Sequence, residues 1–285
     1  MATIPHDPRS ALQQLLHRTD ALLCHLSRIL STPSGTDTTL LTLAYTLNLL
    51  QNRLHHHLNK QLARVAAAIA DKASSSLLPG ETIIASVPAP AHVARLSRAA
   101  DAAKRLSALI GDFRVFSRLW GLLGVYAWAR SIYLSPPRDA LVRRVTWAQV
   151  LACAAYQYLE NGAYLARHGV LRWDAAKQAR RWAWSCRFWA AHVALEFARL
   201  ARVWYLRERE AAGAEKGDEM AQKGAGVRRR EERARWLREL LINCAWTPLT
   251  VHWSLEGGAV DEAWVGFLGG VVGVLRFREL WKRTA

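Results

Sequence analysis

Leucine sets the first pattern in the chain. Leu12, Leu15, Leu16, Leu22, Leu23, Leu26 and Leu30 return every three or four residues, which predicts a helix from Arg9 to Leu30 with one apolar face. Thr32-Pro33-Ser34-Gly35 breaks it, and Thr36 or Asp37 can cap a second helix. Leu40, Leu43, Leu47, Leu50, Leu54, Leu58, Leu62, Val65 and Ile69 predict that this helix runs to about Lys72. The two read as an antiparallel pair. Serines with Pro79-Gly80, Pro88 and Pro90 carry no helical stripe, so residues 73–91 are expected to be a loop.

Between His92 and Trp120 the apolar residues Leu96, Ala103, Leu106, Ile110 and Phe113 step by three or four, while Arg98, Lys104, Arg105 and Asp112 fall largely on other sides. That pattern is a basic amphipathic helix, and it fits a lipid surface or an ordinary packing face equally well. Leu119 to Ala129 and Val145 to Leu159 are uncharged, yet each falls short of the ~20 apolar residues of a clean membrane span. Arg180 to Leu206 carries a stripe of Trp182, Trp189, Val193, Phe197, Leu200 and Trp204, which suits an interfacial or bundle helix. Arg207 to Arg235 is dense in charge of both signs and reads as a solvated linker or a frayed charged helix. Leu240 to Leu255 and Ala263 to Leu275 are the last apolar runs. Gly266, Gly269, Gly270 and Gly273 in the second would let another helix approach closely, within the chain or from a second copy.

The expected fold is therefore all-α: a membrane-associated helical bundle with an amphipathic helix and imperfect spans. Its organisation is an N-terminal helical pair and loop (1–91), an amphipathic helix with central membrane-associated helices (92–206), a charged linker (207–235) and a C-terminal membrane segment (236–285).

Charge and chemistry narrow this. A net charge of +16 with 51% hydrophobic residues and 13 tryptophans suits anionic lipid, nucleic acid or acidic partners. Because the tryptophans follow helical stripes inside apolar runs, with arginine at their ends, a membrane interface is the better match and nucleic acid is not expected. The four cysteines are widely separated, so neither a disulfide framework nor a zinc site is expected. His55-His56-His57 cannot all face one ion, since consecutive helix positions point about 100° apart. No Gly-x-Ser-x-Gly, His-Glu-x-x-His or phosphate-cradling loop is present, so neither catalysis, a cofactor nor a metal is expected. Glu160 and Glu196 are the notable carboxylates in the central block, and pairing with arginine, such as Arg199 for Glu196, is the expected fate.

Tyr158-Leu159-Glu160-Asn161-Gly162-Ala163-Tyr164-Leu165-Ala166, then Trp184-Ser185-Cys186-Arg187-Phe188-Trp189, resembles fungal members of the peroxin 11 family. Gly269-Gly270-Val271-Val272-Gly273, with Trp281-Lys282 near the end, is similar to that family's C-terminal segment. The resemblance runs from about His92 to the C-terminus. It implies a peroxisomal membrane protein with both termini in the cytosol that elongates the membrane and promotes peroxisome proliferation and fission. It further implies an amphipathic helix inserted into one leaflet of the peroxisomal membrane lipids, self-association into a homo-oligomer, and cooperation with a fission machinery that includes a dynamin-related GTPase. On this reading Leu96, Arg98, Ala103, Lys104, Arg105, Leu106, Ile110 and Phe113 contact lipid. Two other readings stay open: a small-solute pore, with Glu160 and Arg130 lining a polar path, and a soluble helical adaptor.

Overall fold

The protein, a computed structural model, is described over residues 8–74, 90–213 and 219–285, and these residues form eight α-helices. They are α1 (Pro8–Leu30), α2 (Pro33–Ser74), α3 (Ala91–Ser117), α4 (Gly121–Leu134), α5 (Ala140–Arg167), α6 (Ala175–Gly213), α7 (Glu219–Ser254) and α8 (Glu262–Thr284). No strand occurs among the described residues, as the 3.6-residue periodicity of every apolar segment requires. Of the loop expected at 73–91, residues 75–89 lie outside the described residues.

Local chemistry sets several of the boundaries. The Thr32 hydroxyl accepts from the Gly35 amide at 3.1 Å, and Pro33 occupies a first-turn position whose missing N–H costs nothing. Asp139 caps α5 by accepting from the Val142 amide at 2.9 Å, and Asp174 does the same for α6 through the Lys177 amide at 2.6 Å. Gly169 ends α5 with φ of 74°, a conformation that glycine adopts without a Cβ clash.

Helices α2 to α8 pack as antiparallel neighbours in the order α3, α2, α8, α7, α6, α5, with α4 lying on α5 and α1 against α2 and α8. The pairwise registers are explicit. On α8, a Cβ at Gly273 would meet Thr42, at Gly269 the ring of Tyr45, and at Gly266 the backbone of Leu49. Three of the four glycines thus let α8 lie close on α2 within one chain, while Gly270 faces open space. The core is aromatic: Trp189 of α6 stacks on Trp253 of α7 at 5.5 Å and meets Trp246 at 4.7 Å, and Tyr45 of α2 meets Trp246 at 6.4 Å. Leu41, Val193, Leu249 and Val272 fill the space around them.

The charged stretch at 207–235 is helical at its described ends. Residues 207–213 continue α6 and 219–235 open α7, where Arg207 pairs with Glu232 at 3.8 Å and Trp204 meets Trp236 at 4.7 Å. Alternating charge thus serves a helical pair through partners on the neighbouring helix, which one-dimensional composition does not reveal. Among the described residues no helix is long and apolar enough to cross a membrane, so the expected spans correspond to the packed helices α4, α5, α7 and α8.

Candidate membrane-binding face

Helix α3 has two apolar faces. The inner one, Val93, Ala100, Ala103 and Ile110, is buried, and α3 packs on α2. There Ser107 donates to the Ala44 carbonyl at 2.9 Å and Arg114 pairs with Asp37 at 2.8 Å. The outer one is Leu106, Leu109, Phe113 and Phe116, continued by Trp120 in the turn that follows, spaced alternately by three and four residues, and it is exposed: 67% for Leu109 and 50% for Phe113. At 100° per residue the four side chains on α3 fall within about 80° of arc.

The outer stripe does not stop with α3. Residues 118–120 form a tight turn, after which α4 presents Leu122, Leu123, Tyr126, Tyr133 and Leu134 to the outside, with Leu123 at 70%. Gly121 abuts Gln157, whereas Trp128 meets His192 beside the Gln149 carbonyl, so α4 runs along α5 in the same sense as α3. Exposed apolar residues run from Leu106 to the end of α3 and along the whole of α4, about 17 Å and 20 Å of helix at 1.5 Å per residue. Contiguous exposed apolar surface of this kind marks a docking or membrane site.

The elbow between α3 and α4 is gripped by α5. Glu160, 4% exposed, accepts from Arg118 Nε at 3.0 Å and Nη2 at 2.9 Å, and from the Tyr156 hydroxyl at 2.9 Å. Gln157 donates to the Arg118 carbonyl at 2.9 Å and Asn161 to the Leu119 carbonyl at 2.8 Å. These bonds satisfy carbonyls that the end of α3 leaves without helical partners. Tyr164 donates to Asp112 at 3.2 Å one turn further on. Gln157, Glu160 and Asn161 of α5 are therefore the clasp that fixes the angle of the exposed stripe. The partner of Glu160 is Arg118, and Arg130 sits exposed on α4, so the polar path expected between Glu160 and Arg130 is not formed.

The expected lipid contacts divide between the two faces. Leu106 and Phe113 belong to the exposed stripe, Ala103 and Ile110 to the buried face, and Leu96 is half-buried on that inner side. Arg98 and Arg105 are exposed beside the stripe, and Lys104, about 200° from Leu106 around the helix, faces away from it. Leu109, Phe116, Trp120 and Leu123 complete the stripe and fall outside the expected set. Extending the alternating step of three and four from Leu106 past Ser117 finds them. Among the described residues no cluster of His, Cys, Asp or Glu could hold a metal ion, and His55-His56-His57 does not form one.

The sequence model of Peroxisomal biogenesis factor 11 (PEX11) matches residues 91–281. The chain belongs to the PEX11 family. The match opens on the first residue of α3 and includes the stripe, the clasp and the glycines of α8, whereas α1 and α2 lie outside it. Family membership supports a role in peroxisome biogenesis and a peroxisomal location. No curated protein and no solved structure matches the chain.

Proposed function

We propose that this PEX11 member is a peroxisomal membrane protein that elongates the membrane during peroxisome proliferation and fission by seating the outer stripe of α3 and α4 in one leaflet. The observation that carries this reading is the exposed run Leu106, Leu109, Phe113, Phe116, Trp120 and Leu123, preceded along α3 by the exposed bases Arg95, Arg98 and Arg105. Aromatic and leucine side chains entering about 5–10 Å into the boundary of one leaflet expand it, and guanidinium groups hold anionic head groups beside it. The clasp on Arg118 keeps the α3–α4 elbow rigid, so that insertion is transmitted as curvature.

Self-association into a homo-oligomer, and recruitment of fission machinery including a dynamin-related GTPase, complete the proposal by resemblance. Gly266, Gly269 and Gly273 are occupied by α2 within the chain, so a homo-oligomer would use another surface. Nucleic acid, a cofactor and catalysis have no part in this reading.

Flotation of the full chain with anionic liposomes tests it, with electron microscopy of the vesicles. Leu109→Glu combined with Phe116→Glu should leave the helical content and melting intact and abolish both flotation and tubulation. If that variant still bound and deformed vesicles like the parent, the stripe would not be the lipid-active element.

A further inference from the structure

Between the helices lies a cavity of about 1100 Å³ whose walls come from α2 to α8. That is slightly above the range of small-molecule pockets (about 300–1,000 Å³), and the space opens to the surface rather than being an enclosed void.

Its lining is layered. Gln149 donates to Glu196 at 2.7 Å, Arg199 bridges Glu196 and Glu239, and Arg114 pairs with Asp37 at 2.8 Å, all at the cavity wall. The α2–α8 register set by Gly273 on Thr42 places Arg276 level with Thr39, two residues from Asp37, and both charged residues line the cavity. Seven residues further along α5 and α7, seven back along α6 and eight along α2, which is about 10–12 Å, stand Tyr156, Trp246, Trp189 and Tyr45. Their rings touch in series: Tyr45 to Trp246 at 6.4 Å, Trp246 to Trp189 at 4.7 Å, and Trp189 to Tyr156 at 5.7 Å. A belt of charge therefore lies one layer away from a sheet of aromatic rings.

The belt is uneven. Apart from Arg118, which Glu160 holds, two guanidiniums on the side of α2, α3 and α8, Arg114 and Arg276, face the single carboxylate Asp37, and Arg276 makes no ion pair among the described residues. On the side of α6 and α7, two carboxylates, Glu196 and Glu239, share the single guanidinium Arg199. One surplus positive charge thus faces one surplus negative charge across the same space. A solute carrying one charge would satisfy only one side, and a wholly apolar one neither.

We propose that this cavity binds one zwitterionic glycerophospholipid, its phosphodiester toward Arg114 and Arg276, its ammonium toward Glu196 and Glu239, and its acyl chains along the aromatic layer. The site is separate from the exposed stripe and does not depend on it.

Dihexanoyl-phosphatidylcholine, kept below its critical micelle concentration so that no bilayer or micelle is present, is the probe for the full-length protein. Titration should quench tryptophan fluorescence saturably at one lipid per chain and raise the melting temperature. Dihexanoyl-phosphatidylglycerol, with the same tails and no ammonium, and the nonionic hexyl glucoside should each bind about tenfold more weakly or worse. Arg276→Gln and Glu239→Gln remove one half of the pairing each from partly exposed positions. Each should weaken phosphatidylcholine about tenfold, and only Arg276→Gln should weaken phosphatidylglycerol. Absence of saturable binding by the folded parent would overturn the proposal, as would equal affinity for the three head groups, or variants that both bind like the parent.

Discussion

A single Cβ separates two neighbouring glycines of α8. At Gly269 it would sit 2.3 Å from the Tyr45 ring, and at Gly270 it would meet nothing within 4 Å. Tyr45 is wedged against Trp246 and cannot give way freely, so Gly269→Ala should destabilise the fold by about 2–3 kcal/mol through overpacking. Gly270→Ala should instead add about 0.5–1 kcal/mol by stiffening the helix. Thermal unfolding of the two variants side by side checks the pair, and opposite shifts in melting temperature are expected. A similar contrast holds for charge. Glu160→Ala strands the Arg118 guanidinium, 29% exposed in its clasp, and should cost about 3 kcal/mol. Glu232→Ala breaks an exposed pair with Arg207 and should cost under about 0.5 kcal/mol. Denaturant midpoints for the two variants measure the difference.

Elements are the most legible scale in the sequence. Leucine and tryptophan spacing locates α1, α2, α3 and α6, because a 3.6-residue repeat survives whatever the helix later packs against, whereas α4, α5, α7 and α8 show in the sequence only as apolar runs. The pattern does not reveal the neighbour. Leu96, Ala103 and Ile110 step by three and four through Leu106 and Phe113, yet the first three turn inward, with Ala103 and Ile110 buried, and the last two face out. Only the position of α2 separates the faces. The same blindness hides Arg118 as the partner of Glu160, 42 residues away in sequence. It also hides the cross-helix pairs that keep 207–213 and the start of α7 helical. The two faces make a sharp test. Leu106→Glu should keep the parent's melting temperature and lose liposome binding, whereas Ile110→Glu, at 7% exposure, should lower the melting temperature and expose apolar surface to a dye even without lipid. Equal behaviour of the two variants in the melting assay would contradict the two-faced helix.

The start of α5 adds a pH signature. The hydrogen bond from Arg202, with the Val142 amide, holds the Asp139 carboxyl down to about 2 from an ordinary 3.8. The folded state thus favours the ionised form, so the cap's contribution is complete above about pH 4 and is lost as pH falls toward 2. Asp139→Asn should be less stable than the parent at pH 7 and lose less of its stability between pH 4 and 2. Urea midpoints at pH 7, 4 and 2.5 measure this, and parallel losses in parent and variant would assign the acid sensitivity to other carboxylates.

At the scale of the whole molecule, the family match and the packing unit have different limits. The match begins at Ala91, but α2, which lies before it, covers the inner face of α3 and receives the glycine face of α8. It also supplies Leu41 and Tyr45 to the core around Trp246 and closes the cavity with Asp37. A fragment of residues 91–285 would therefore bare Val93, Ala100, Ala103 and Ile110 along with Val265 and Val272, all of them buried in the full chain. It would also leave Arg114 without its carboxylate. Losing one wall of a ring of helices opens two interfaces at once, and the remaining helices have no apolar surface placed to cover both. That fragment should stay helical by circular dichroism, because α5, α6 and α7 keep their contacts with one another. It should also melt without a cooperative transition and bind a hydrophobic dye. Adding residues 1–74 in trans should restore a cooperative melt if the loss comes from the missing wall. A fragment 91–285 that melts cooperatively near the parent's temperature on its own would show that the family segment is a complete domain and that α2 is an accessory to it.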